Sequence, residues 1–182
     1  MHITYTSEQI EIQPKLVGAN INPETFLATD YLNHFNEIVM LLEMIPDMPE
    51  LIEDASEWAP KTYNQHFLDS GFQAKDLAVR AFNLAPDGIR NAFNQVCESM
   101  NTTILTTLAG LVHLNVAERG FSPAARELVR QRVQIIHELL MKLNQVIHGQ
   151  IGDDFSIGEN QVEEPAEPED VQSQEDIDKL FD

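Results

Sequence analysis

The sequence predicts an all-α protein: a helical bundle with a long C-terminal helical hairpin, followed by a disordered acidic tail. Three observations predict it. Apolar residues recur at helical spacing through most of residues 22–150, and the last of these runs steps by 4, 3, 4, 3 and 4 residues from Val129 to Ile147. After His148-Gly149 the composition turns abruptly acidic. The 182-residue chain therefore divides into an N-terminal arm (1–21), a bundle (22–150) long enough to bury a sizeable core, an acidic linker (151–172) and a terminal segment (173–182).

In chain order, residues 1–21 alternate loosely, with Ile3 and Tyr5, Ile10 and Ile12, then Leu16 and Val17. This suits a short strand or an extended arm lying on the body. Asn22-Pro23-Glu24 has the form of a helix start, with Asn as cap, Pro at the first helical position and an acid near the positive end of the dipole. The expected helix carries Leu27, Tyr31, Phe35, Ile38, Leu42 and Ile45 and stops at Pro46. A short helix follows Pro49 and ends before Ala59-Pro60. Residues 62–84 read as one or two helices, with a break at Asp69-Ser70-Gly71 and a stop before Pro86.

Two long helices come next. The first runs from about Gly88 to Ala117, its stripe formed mainly by Phe93, Val96, Met100, Ile104 and Leu111. Ser122-Pro123 opens the second, which carries Val129, Val133, Ile136, Leu140, Leu143 and Ile147. That heptad seam suits antiparallel packing, and the short connection from Glu118 to Phe121 makes the pair a hairpin.

From Asp153 to Asp182 there are twelve acidic residues against one lysine. Such a stretch cannot bury enough apolar surface to offset its ordering entropy, so it is expected to stay disordered. Its tip differs. Ile177, Leu180 and Phe181 recur at i, i+3 and i+4, which would put all three on one helix face, and Ser173 with Asp176 has the form of a capping box. A helix this short does not hold alone in water, but it orders when a partner offers a groove. The 22 residues 151–172 span roughly 25 Å as a flexible coil, a tether that holds a captured partner near the bundle at roughly millimolar effective concentration.

Composition excludes several function classes. The formal charge is -19, and the eleven Lys and Arg are scattered, which argues against nucleic acid and anionic membranes as partners and for proteins instead. Cys97 stands alone, so neither an intramolecular disulfide nor a thiolate zinc cluster is expected. No signal-peptide layout appears and no apolar run approaches the roughly 18 residues of a membrane span, so a cytoplasmic location is expected.

The segment Ser173-Gln174-Glu175-Asp176-Ile177-Asp178-Lys179-Leu180-Phe181 resembles the C-terminal peptide with which the chemotaxis phosphatase CheZ grips the response regulator CheY. It is similar too to the N-terminal peptide of the flagellar switch protein FliM, which grips the same surface. Ser173, Gln174, Glu175, Ile177, Asp178 and Leu180 carry the shared form; the body has no comparable match. The resemblance implies a CheY-like response regulator as partner, bound by Ser173 to Asp178, Leu180 and Phe181.

It also raises the expectation of aspartyl-phosphate phosphatase activity. In CheZ a hairpin Gln orients a water in line with the phosphoryl group, while an Asp one helical turn away engages the regulator's lysine. Catalysis of this kind requires alignment more than a strong base. The same Asp-x-x-x-Gln spacing occurs here at Asp69 and Gln73, and again at Asp170 and Gln174 in the tail. With twelve Asp and twelve Gln, about one such pair is expected by chance. Asp69 and Gln73 are the candidate catalytic pair, although they enclose Ser70-Gly71 and lie outside the long hairpin.

Looser acidic–amide pairs are Glu127 with Gln131 and Glu98 with Asn101. The second has the Glu-x-x-Asn spacing of the CheC and CheX regulator phosphatases without their surrounding glycines. His34 with Glu37 and His137 with Glu138 have the residue types of metal ligands, but the paired Glu-x-x-His motif of di-iron bundles is absent, so neither metal nor cofactor is expected. Neither His113 nor His137 has the neighbours of a phosphotransfer histidine. The sequence therefore points to a cytoplasmic signalling protein that binds a regulator and acts on its phosphorylation or availability. A non-catalytic adaptor is the alternative, as is a structural bundle that forms a homodimer through its heptad seam.

Overall fold

The longest helices, α6 (Asp87–His113) and α8 (Pro123–Ile147), lie side by side as an antiparallel hairpin and form the most extensive helix pair. The computed structural model describes residues 3–152, and these are all helical or irregular, with no strand among them. The remaining helices are α1 (Ser7–Val17), α2 (Leu32–Met44), α3 (Ile52–Ser56), α4 (Tyr63–Asp69), α5 (Lys75–Leu84) and α7 (Val116–Arg119), with 3-10 turns at Thr29–Tyr31 and Pro49–Leu51.

The hairpin forms for the reasons its sequence suggests. Ser122 caps α8 by accepting the Ala125 amide (3.1 Å), Pro123 occupies the first turn, and Val129, Val133, Ile136, Leu143 and Ile147 are buried. Leu140 is only half-buried, while Leu139 and Val146 join the buried set. The seam is thus broader than a strict heptad, because α8 packs on α2 along one edge and on α6 along the other. All five expected stripe residues of α6 are buried. Its C-terminus is shorter than the sequence suggests: Asn115 adopts a left-handed conformation (φ 51°), and one further turn, α7, intervenes before Gly120 (φ 71°).

The N-terminal expectation is corrected. Residues 7–17 are a helix, capped by a reciprocal Thr6–Gln9 box, and no strand or extended arm forms there. The apparent alternation arose from Ile10 and Val17, which are exposed; Ile12 and Leu16, four apart, are the residues that enter the core. Gln9 and Gln13 donate from their amides to Leu84 O (2.7 Å) and Pro23 O (2.9 Å), anchoring α1 to α5 and to the following loop.

The start at Asn22 is corrected too. Asn22 Oδ1 accepts the amides of Glu24 (2.8 Å) and Thr25 (3.2 Å), as a cap does, but the chain closes on itself through Phe26 N–H to Asn22 O and Asn22 N–H to Leu27 O. Phe26 sits at φ 67°, where a helix cannot propagate, and α2 begins only at Leu32. The loop delivers Phe26 and Leu27 fully buried into the core. It also brings the Thr25 hydroxyl to donate to Ile147 O (2.6 Å), satisfying a carbonyl at the end of α8. Beyond α8 the chain turns at Gly149 (φ 72°), and Ile151 packs, partly buried, on the core.

Candidate functional site

Asp69 and Gln73 do not share a helix. Helix α4 ends at Asp69, and Ser70 (φ -81°, ψ 164°) turns the chain into an extended conformation, because its hydroxyl both donates to Phe67 O and accepts the Phe72 amide. Asp69 is engaged locally: Lys61 Nζ lies 3.1 Å from Oδ2 and Gln65 Nε2 donates to Oδ1 at 2.7 Å. Lys61 and then Gln65 hold its carboxyl below the usual carboxylate range. Gln73 is exposed in the α4–α5 loop.

What the fold does bring towards Gln73 is a groove. Two open depressions of about 620 and 590 Å³ share Asn20, Asp30 and Phe72. One runs past Gly71 and Gln73; the other runs past Asn22, Leu27 and Asn33 to Ile147 and His148 at the end of α8. A carboxylate, Asp30, and an amide, Gln73, thus line one concave surface. The Asp30 carboxylate meets His66 Nε2 at 3.1 Å.

Behind His66 lies a polar cluster built into an aromatic core. His34 is buried, stacks on Trp58 (ring centroids 4.9 Å apart, planes at 21°), and its Nε2 accepts the Lys61 amide at 3.1 Å. Trp58 Nε1 donates to His34 O (3.1 Å) and the Tyr31 hydroxyl to Lys61 O (2.7 Å). Burial first, then His66 and Lys61, lower the His34 pKa to about 4, which keeps it a neutral acceptor near neutral pH. Burial raises the Tyr31 hydroxyl well above its ordinary value and the Cys97 thiol to about 12. None of these is poised for proton transfer near pH 7; the hydrogen bonds of Tyr31 and His34 to Lys61 and Trp58 pin the α3–α4 connection onto α2 and the turn before it.

The other sequence candidates fall elsewhere. Glu127 receives Arg130 through two hydrogen bonds (2.6 and 2.8 Å) and the Gln131 amide (2.9 Å), which lower its pKa to about 2. Glu98 is exposed, whereas Asn101 Oδ1 is buried without a hydrogen-bond partner, so this pair offers no exposed carboxylate–amide platform. His34 bonds Lys61 and not Glu37, and His137 meets Glu43 of α2 at 2.8 Å. Among the described residues no group of three His, Cys, Asp or Glu could hold a metal ion, and no helix is long and apolar enough to cross a membrane.

Sequence reasoning missed Asp30, Trp58, Lys61 and His66, which come from three separate segments: the turn before α2, the α3–α4 connection and α4. The docking residues Ser173, Gln174, Glu175, Asp176, Ile177, Asp178, Leu180 and Phe181, the Asp170–Gln174 pair and linker residues 153–172 lie outside the described residues. Comparison of the chain with family models, characterised proteins and solved structures finds no match.

Proposed function

We propose that the chain captures a CheY-like response regulator through residues 173–182 and that the bundle acts on the captured regulator's phosphorylation or availability. The observation that carries the reading is the segment Ser173-Gln-Glu-Asp-Ile-Asp-Lys-Leu-Phe181, in which an apolar i, i+3, i+4 stripe coincides with the residues resembling the CheZ and FliM peptides. The length of the intervening sequence supports it: 22 residues, treated as a coil, would span roughly 25 Å and would keep a captured regulator within reach of the bundle surface.

Two versions follow from the bundle. The groove that carries Gln73 on its rim and Asp30 within it supports dephosphorylation, in which the amide would orient a water towards the regulator's aspartyl phosphate. The engagement of Asp69 by Lys61 and Gln65 supports a non-catalytic adaptor.

The test measures binding and phosphate decay of a CheY-like regulator with the full chain, with Leu180→Asp and with Gln73→Ala. Binding that Leu180→Asp abolishes is expected. Faster decay that Gln73→Ala removes while binding persists identifies a phosphatase; binding without acceleration identifies an adaptor. A full chain that does not bind the regulator overturns the reading.

A further inference from the structure

Asp30 lies where the two depressions of the groove meet, and it is the one carboxylate among the described residues that line them; none of those residues is Lys or Arg. Its side chain is 34% exposed and is oriented from behind. His66, itself 13% exposed and held edge-on against Tyr31 and Phe67, meets Oδ2 at 3.1 Å. Asn33 Nδ2 approaches Oδ1 only to 3.4 Å, at the outer limit of a hydrogen bond, so that oxygen keeps acceptor capacity for a ligand. Phe72, half-buried and packed edge-on against Phe67 at 5.0 Å, walls both depressions, as does the exposed Asn20. Gln73 adds an exposed amide on the α5 side. On the α8 side, just past His148, the Glu24 carboxylate lies beside Gly149, 3.9 Å from where a Cβ on that residue would sit.

We propose that this groove binds a linear polyamine, an aliphatic chain that carries several ammonium groups. Charge excludes an anion: a lining of one carboxylate and neutral amides, without a guanidinium or ammonium group, accepts N–H donors and repels negative groups. The surrounding body adds to this. Residues 1–152 carry -8, from ten basic and eighteen acidic side chains, and the whole chain carries -19, a field that raises the local concentration of cations. Shape then selects among cations. A metal ion needs several ligands converging on one point, and among the described residues no group of three His, Cys, Asp or Glu does so. Depressions of about 620 and 590 Å³ that leave Asp30 in different directions instead suit an extended chain. Asp30 pairs with an inner ammonium group and Glu24 with a terminal one at the α8 end, while the side-chain oxygens of Asn20 and Gln73 accept from the ammonium group at the other end. The aliphatic spacers lie against Phe72, whose ring also attracts the neighbouring cation. Partly exposed charge pairs are individually weak, so the dissociation constant is on the order of 0.1–1 mM at low salt and rises as salt is added.

The inference does not rest on regulator binding, and no regulator enters its test. Spermidine is titrated into the full chain at low salt and followed by amide NMR, which separates the groove from the acidic tail. Saturable shifts at Asn20, Asp30, Phe72 and Gln73 are expected. Asp30→Asn, which keeps the side-chain shape, should weaken them about tenfold, and Glu24→Gln roughly threefold. Asp54→Asn, the same change at an exposed position of α3 outside both depressions, should leave the affinity unchanged. Magnesium at the spermidine concentration should not displace the polyamine. Absence of shifts at the groove residues, an affinity indifferent to Asp30→Asn, or displacement by equimolar magnesium, the mark of a diffuse counterion atmosphere, would each overturn the proposal. If Asp30→Asn disturbs the fold through His66, as the spectrum would reveal, Glu24→Gln decides: a threefold loss supports the site and no loss overturns it.

Discussion

The hairpin and the histidine end of the bundle are held together in different ways. Along α6 and α8, stability is spread over many interchangeable aliphatic contacts, each repeating the last at helical spacing. Around the histidines, α2, the 22–28 loop, the α3–α4 connection and α4 meet one another and the last residue of α8 through a few specific polar bonds: Thr25 to Ile147 O, Lys61 to His34, Trp58 to His34 O, Tyr31 to Lys61 O and Ala28 N–H to the Tyr63 hydroxyl. A repeated contact tolerates modest change, whereas a buried polar group that loses its partner is left with its full desolvation cost. The hairpin should therefore fail gradually with side-chain volume, and the polar end by single atoms.

Substitutions sharpen this contrast. Ile136→Ala removes a fully buried side chain between α8 and its neighbours and should cost about 3–4 kcal/mol in denaturant unfolding. If it costs no more than a surface change, the hairpin is not the stabilising centre. Thr25→Val keeps the volume but removes the donor to Ile147 O, and should cost about 2 kcal/mol with little change in packing. A neutral result would show that the loop-to-α8 bond is dispensable and that this end, too, is held by shape.

A third effect, confined to acid pH, concerns His34. Folding lowers the His34 pKa from 6.5 to about 4, so between these values the unfolded chain binds more protons than the folded one. The stability from neutral His34 is complete above pH 6.5 and declines as pH falls towards 4. His34→Gln should flatten that part of the Tm–pH profile relative to the wild-type chain. An unchanged slope would mean that other groups set the acid sensitivity.

The same contrast explains what could be read from the chain. Helix α8 was legible from its Ser-Pro start and heptad seam, and the α4–α5 break from Asp-Ser-Gly, because both are encoded within a few residues. Asn22-Pro23 misled because an Asn side chain caps a turn and a helix with the same local bonds; the buried seats of Phe26 and Leu27 decide between them. Residues 7–17 misled because exposed Ile10 and Val17 imitated alternation. Of the candidate site, the Asp69–Gln73 spacing was visible, but its helical premise fails where the Ser70 hydroxyl takes over the backbone.

By itself the sequence determined that the chain is helical, that two long helices pair, and that an acidic stretch carries an apolar tip, since periodicity, caps and composition are local properties. Only the tertiary structure decided that α1 is helical and docks on α5, that Asp30 and Gln73 line one groove, and that His34 is a buried neutral acceptor. Each of these depends on which distant segments lie opposite one another, and no spacing along a chain records that.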